Sequence, residues 1–250
     1  MVKIQTKQQL IDFVNHGHKV KYIYFWGHTQ KTDCITNACF SQWYEIAFKD
    51  DSITYSTAEH YMMAQKALLF DDLDCYNKII QTPNPGAAKA FGRQVKNFTE
   101  SIWLENRWDI VVKANLLKFS QNPKLKEFLL NTSNRILVEA SPVDKIWGVG
   151  LAKDNPKIEN PNLWKGLNLL GFTLMEVREL LNQIHEFIPL LNPVLPPWLA
   201  YPELERYSMG YGEDYMNKLH QYYSKLSHSE RIIYKLAYPA TGEWKGWYDE

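Results

Sequence analysis

The chain has 250 residues, of which 45% are apolar and 22% charged, an ordinary globular composition with length enough for one large domain or a domain with an appendage. Its 28 Lys and Arg balance its 28 Asp and Glu, which argues against non-specific nucleic-acid binding by the whole surface and leaves room for a local basic pocket. The opening MVKIQTKQQL is too polar for a signal peptide, and no run of about 18 apolar residues exists for a membrane span, so the chain reads as soluble and cytoplasmic, with no membrane partner.

Residues 6–16 predict a short amphipathic helix stopped at Gly17, and 19–26 (KVKYIYFW) read as a strand ended by Gly27-His28. A loop with Asp33 and Asn37 follows. The aromatic segment SQWYEIAFKDD then reads as a second strand, turning near Asp50-Asp51 into a small hairpin. Cys34, Cys39 and Cys75 are an odd count without a framework spacing, which suits free thiols in a reducing compartment. Metal binding is the sharper alternative, with His28 and His60 not far away in sequence. Cys34-x4-Cys39 is a poor zinc spacing with no second pair, however, and no metal site is expected.

Helices are predicted over 73–81, ended by Pro83-Asn84-Pro85-Gly86, over AAKAFGRQV (87–95), over 99–119, and from Pro123 to Leu130. Lys89, Arg93 and Lys96 make a basic stripe that suits phosphate oxygens or is simply a solvated face. Gly92 carries a helix-propensity cost and marks a close approach by another element or a ligand. In 99–119, Trp103, Arg107, Ile110, Ala114 and Lys118 share a face while apolar residues cover other sides, the pattern of a buried helix. Arg107 on such a helix calls for a carboxylate or a ligand phosphate. Further on, ILVEASPVDKIWGVGL (136–151) is a short apolar run interrupted by Pro142, with Trp147 between Asp144 and the Gly148-x-Gly150 pair. This loop suits ring stacking, or its Trp anchors the loop to the core; a lone GxG is no dinucleotide fingerprint. Residues 153–162 read as a loop and Trp164 to Ile184 as a helix. NPVLPPWLAYPE is a rigid connector, and 213–237 is helical with a split near Ser227-His228-Ser229. No catalytic constellation lies in this last segment, which reads as an accessory packing or partner module.

The chain is organised around YSTAEHYMMAQKA (55–67). Ser56 with Glu59 three residues later fits a capping box. Glu59 and Lys66 share a helical face about 10 Å apart along the axis, with Met63 between them. They flank a bound ligand, or they are a capping residue and a solvated lysine. The two roles exclude each other for Glu59, because a carboxylate bound to its own N-cap points away from a pocket.

From the first strand to the helix after 164, the chain resembles the NADAR, or YbiA-like, family. The matching blocks, in order, are YFWGH (24–28), SQWYEIAF (41–48), YSTAEHYMMAQKA (55–67), PGAAKAFGRQV (85–95), KFSQNP (118–123), LVEASPVDKIWGVGL (137–151) and WKGLNLLGFTLMEVR (164–178). The resemblance implies a mainly α-helical domain over 1–185 with a small β component near the N-terminus. Residues 186–250 are then a proline-linked helical extension to which the resemblance assigns neither role nor partner. It implies cleavage of an N-glycosidic bond to a phosphorylated ribose, without a cofactor. The substrates it brings are phosphoribosyl-amino-pyrimidines of riboflavin synthesis and ADP-ribose on guanine, including ADP-ribosylated DNA or RNA. It also implies functional roles for Glu59 and Trp147.

Cleavage of an N-glycoside passes through an oxocarbenium-like sugar, which a carboxylate stabilises or supplies with activated water. Glu59 is the first candidate for that work and Asp144 the next. Lys66 is a candidate for attack on C1 of a ring-opened sugar, which requires a neutral amine desolvated by Met62, Met63 and Phe70. Arg93, Arg107 and Lys118 are candidates to hold phosphates. Trp147, with Gly148 and Gly150, is placed against the base, and Trp26, Gly27 and His28 complete the candidate substrate-binding set. A non-catalytic ADP-ribose or NAD reader would keep Trp147 and the basic residues without needing Glu59 or Lys66. In a third reading, the C-terminal extension is the active part, as an interaction module.

Overall fold

A computed structural model of the chain describes residues 3–29, 34–50, 52–190, 193–201, 211–240, 242–244 and 246–249. Asp33 of the expected loop and Asp51 of the expected turn lie outside the described residues, as do 191–192 and 202–210 around the proline-rich connector. The chain divides into two units, Met1–Arg178 and Glu179–Glu250, so the division falls within a helix, a few residues before the expected 185/186 boundary.

In the first unit, Thr6 caps α1 (Lys7–Asn15) through a full capping box with Gln9, and Gly17 ends the segment at φ +87. The strand β1 (Tyr22–Phe25) is followed by the hairpin β2 (Phe48–Asp50) and β3 (Ile53–Tyr55), which pair antiparallel. Five helices come next: α2 (Ala58–Leu69), α3 (Leu73–Gln81), α4 (Pro85–Gly92), α5 (Glu100–Ser120) and α6 (Pro123–Leu130). The helix α4 starts at Pro85, not past Gly86 as expected. The Asn84 carboxamide caps it, and a proline at N1 lacks only an N–H that would have no helical partner anyway. The helix α2 packs against α3, α4 and α5, which explains why nearly every residue from Ala58 to Ala67 is buried.

The apolar run at 136, whose pattern carries no strand alternation, is a strand, β4 (Ile136–Glu139). It pairs parallel with β1, from Tyr22 against Ile136 to Phe25 against Glu139. A parallel pair is covered on its faces and therefore reads as a continuous apolar run instead of an alternation. Leu10, Phe172, Val149, Leu151, Ile158 and Trp164 pack with Ile136 and Val138 in its core. The last helix of this unit, α7 (Leu169–Leu190), begins five residues later than expected. Its would-be first turn is taken up elsewhere: the N–H groups of Lys165 and Gly166 donate to the Val149 carbonyl, and those of Leu167 and Asn168 to the Lys145 and Gly148 carbonyls.

The second unit has its own aromatic core, in which Leu219, Tyr234, Trp244 and Trp247 are buried together. It contains α8 (Pro197–Ala200), α9 (Tyr211–Lys225) and α10 (His228–Ala237). The split in the expected 213–237 helix has a physical cause at Ser227, whose hydroxyl caps α10 in a capping box with Glu230. Among the described residues, no helix is long and apolar enough to cross a membrane.

Candidate active site

The start of α2 decides the competition over Glu59. The helix begins one residue later than the Ser56 capping box requires: Thr57 is the N-cap, and its hydroxyl accepts from the His60 N–H (3.3 Å) and lies 2.8 Å from His60 Nδ1. The His60 Nε2 lies 2.9 Å from the Thr82 carbonyl, which completes a buried structural histidine. Glu59 is therefore not a capping residue. Its backbone N–H donates to the Gln42 carbonyl (2.9 Å), its side chain is 2% exposed, and the Trp43 indole N–H donates to its carboxylate. Its Oε1 is buried with no hydrogen-bond partner.

Two loops bring further groups to this carboxylate. Because Phe25 pairs with Glu139, the segments after β1 and after β4 leave the sheet at the same carboxyl end, where ligands of parallel sheets gather. After β1, Trp26 stands 63% exposed, Gly27 turns the chain at φ +80, and the His28 ring packs 5.5 Å from the Trp43 ring. After β4, Asp144 shapes the IWG loop. Its Oδ1 accepts from the N–H groups of Ile146 and Trp147 (2.8 Å each), and its own N–H donates to the Ser141 hydroxyl (3.1 Å). Trp147 is half-buried. Gly148 is needed for close approach, since a methyl there would come within 2.9 Å of the Glu139 carbonyl oxygen. Gly150 sits at φ +68, and its N–H donates to the Asp144 carbonyl (3.1 Å).

Burial pushes the Glu59 carboxyl up to about 7, and Asp144 adds to the rise; Lys89, the Trp43 hydrogen bond and Arg93 pull against it. Burial also pushes Glu139 up, to about 8, with Asp144 and Glu59 adding to the rise and Lys89 opposing. The Lys89 Nζ lies 5.9 Å from the centre of the Trp43 ring. Glu59, Glu139, Asp144, Lys89 and Arg93 thus form one electrostatic group, carried by α2, the end of β4, the loop after it and the end of α4. Glu139 and Trp43 were not among the expected site residues. The signal for Glu139 was present as a lone carboxylate closing an otherwise apolar run, a position that seldom holds an unpaired charge.

Residues 24–182 match the model of the NADAR domain. The chain belongs to the NADAR family. The N-glycosidase R617 of Acanthamoeba polyphaga mimivirus is 44% identical over 164 residues, which are 64% of this chain and 95% of the relative. The N-glycosidase YbiA of Escherichia coli is 33% identical over 140 residues, 56% of this chain and 79% of YbiA. The NMR structure of the E. coli protein superimposes with a TM-score of 0.53 at 30% identity, covering 66% of this chain and 87% of that one. A chloroplastic maize protein named riboflavin biosynthesis protein PYRR is 35% identical over 135 residues, 51% of this chain but 20% of its own length. The enzyme is an N-glycosidase, a hydrolase of N-glycosyl compounds.

The NADAR domain places three of the expected residues elsewhere. Lys66 lies at the far end of α2 from Glu59. Its Nζ donates to the Gly92 carbonyl (2.8 Å) and sits 4.2 Å from the centre of the Phe98 ring and 5.6 Å from that of Trp103. Burial lowers its pKa, against an opposing effect of Cys75. Lys118 is fully buried. Its amine, pushed down to about 7 by burial, donates to the Ser41 carbonyl (2.8 Å), so it holds the loop that carries Trp43 instead of facing a phosphate. Arg107 is half-buried on α5, with its pKa lowered by burial and raised by Glu100. None of the three is among the charges that act most on Glu59 or Glu139. Among the described residues, no cluster of three or more His, Cys, Asp or Glu side chains is arranged to hold a metal ion.

Proposed function

We propose that the NADAR domain cleaves the N-glycosidic bond between a phosphorylated ribose and a nitrogenous base, with Glu59 at the anomeric carbon. The observation that carries this reading is the buried, unpartnered Oε1 of Glu59 in a group that also holds two cations. A carboxylate oxygen that lacks a protein partner in a low-dielectric position suits a charge that exists only in the transition state, here the ribosyl oxocarbenium. Lys89 and Arg93, at the end of α4, suit the phosphates. Trp147 and the exposed Trp26 offer flat faces to the departing base. Lys66, whose amine donates to the Gly92 carbonyl beside Arg93, is given no part in this reading.

Two substrates share this chemistry: ADP-ribose on guanine, free or within a nucleic acid, and phosphoribosyl-amino-pyrimidines. The name of the maize relative favours the second. Incubation with an ADP-ribosylated guanine oligonucleotide and, separately, with a phosphoribosyl-amino-pyrimidine, with base release followed by mass spectrometry, separates them. Release from at least one is expected, with Glu59→Gln slowing it by about 10²-fold to 10³-fold, the scale of a lost electrostatic stabiliser. Release from neither, or full turnover by Glu59→Gln, would overturn the reading.

A further inference from the structure

We propose that Glu139, the residue that closes β4, is a second catalytic carboxyl, and that it gives its proton to the nitrogen of the departing base while Glu59 serves the sugar. The inference rests on the N-glycosidase reading of the Glu59 site.

The geometry around Glu139 is restrained on every backbone side. Its N–H donates to the Asn168 carboxamide oxygen (3.0 Å), and its carbonyl accepts from the Val149 N–H (3.0 Å). The same Asn168 carboxamide donates to the Leu137 carbonyl (2.9 Å), two residues earlier in the strand. The side chain therefore leaves from a well-defined point, at the strand end from which both site loops depart. Its Oε2 is nevertheless buried without a hydrogen-bond partner. Leaving such an oxygen unsatisfied destabilises the fold, the more so for an ionised carboxylate, a cost that an apolar residue closing this otherwise apolar strand would avoid. Glu59 shows the same feature, an orphan oxygen on a buried carboxyl. Two such oxygens within one electrostatic group are suited to a ligand that offers a proton acceptor to one and positive charge to the other.

The groups that face Glu139 assign the two roles. Asp144 from the following loop and Glu59 from α2 favour its protonated form, while Lys89 from α4 opposes them. Glu59 is relieved by Lys89, Arg93 and the Trp43 N–H. With Lys89, Arg93 and the Trp43 N–H all favouring its charged form, Glu59 is the carboxyl that ionises first, and its charge keeps the proton on Glu139. Environments that separate two carboxyls in this way divide acid from base, although the titration steps belong to the coupled pair. In the reaction, the C1′–N bond breaks with its electron pair passing to nitrogen, and the Glu139 proton completes the N–H. A water then forms the C1′–O bond and loses its proton to Glu59. That proton returns to Glu139 by exchange, so the net reaction consumes one water.

The test compares two ribose 5-phosphates, one carrying a purine and one an O-linked p-nitrophenyl group, which departs as a stable anion without protonation. For the wild type, the purine rate should fall as pH rises through about 8, and the nitrophenyl rate should not. Glu139→Gln should slow purine release by about 100-fold or more, the range for a lost general acid, and remove that alkaline limb. It should slow nitrophenyl release by less than about tenfold, whereas Glu59→Gln slows both. Equal loss on the two substrates by a Glu139→Gln protein with a wild-type melting curve would overturn the acid role and leave Glu59 standing. Should that variant not fold, an alkaline limb shared by both wild-type profiles overturns it as well. Should the purine nucleotide not be cleaved, the same pH limb and Glu139→Gln loss are read on whichever of the ADP-ribosylated guanine and the phosphoribosyl-amino-pyrimidine is; release from none of them by the wild type would overturn the phosphorylated-ribose reading, and the role of Glu139 with it.

Discussion

At the scale of single residues, the site is in conflict with stability. Glu59 is buried with an unsatisfied oxygen, and its carboxyl is raised from 4.5 to about 7. A raised carboxyl binds its proton more tightly in the folded state than in the unfolded one. The relative stability it gives is therefore complete below about pH 4.5 and is lost as pH rises through about 7. At about 1.4 kcal/mol per pKa unit, the ionised form costs the fold up to roughly 3 kcal/mol at pH 8. Glu59→Gln keeps an acceptor for the Trp43 N–H and removes the charge. Denaturant titration should find it more stable than the wild type at pH 8, with the difference gone by pH 4; an equal or lower stability at pH 8 would refute the burial argument. Such a gain paired with lost turnover is the ordinary trade at an active site. Glu59 itself was legible in the motif, and so was the rivalry with capping. What sequence could not show was that the cap moves to Thr57. Lys118 shows the same limit: its charge suggested a phosphate, and only packing shows its amine bound to the Ser41 carbonyl.

At the scale of elements, two helix contacts have no room for a methyl group. A Cβ at Gly171, in α7, would lie 2.0 Å from the Leu137 carbonyl oxygen of β4, and one at Gly92, in α4, would lie 2.0 Å from the Met63 sulfur of α2. The obstacle at Gly92 is partly the far end of a flexible side chain, which can turn away. The obstacle at Gly171 is backbone, in a strand that pairs with β1 and ends in Glu139. Overpacking typically costs about 1–3 kcal/mol. Gly92→Ala should fall at the low end and Gly171→Ala at or beyond the high end, with the order read from thermal melts; the reverse order would mean that the strand yields more easily than the methionine. Gly171→Ala should also lower turnover by shifting β4. Punctuation made most helices readable: α3 and α6 run between the residues their caps and prolines indicate. The strand β4 was not readable, because three successive buried residues, Ile136 to Val138, show no alternation and the partner strand lies far upstream. The start of α7 was missed for a related reason, since the amides of 165–168 serve the Asp144 loop and long-range partners leave no local pattern.

At the scale of the whole molecule, the question is what the second unit contributes to the reaction. Every residue assigned to the site lies at or before Gly150, and Asn168, which clamps Glu139, lies before α7. The NADAR match ends at residue 182. The R617 relative is covered over 95% of its length by only 64% of this chain, so N-glycosidases of this family exist with little beyond the matched region. The second unit meanwhile buries Leu219, Tyr234, Trp244 and Trp247 against one another, a core of its own. Truncation after Leu190 keeps all of α7, whose Leu170, Phe172, Leu174 and Val177 are buried. It should therefore leave a protein that melts cooperatively and hydrolyses its substrate with kcat/KM within about tenfold of the full chain, a change of about 1.4 kcal/mol or less in transition-state binding. A loss beyond about 100-fold in a truncated protein that still melts cooperatively would place part of the catalytic or substrate-binding surface in residues 191–250, and would make the extension a component of the enzyme instead of an addition to it.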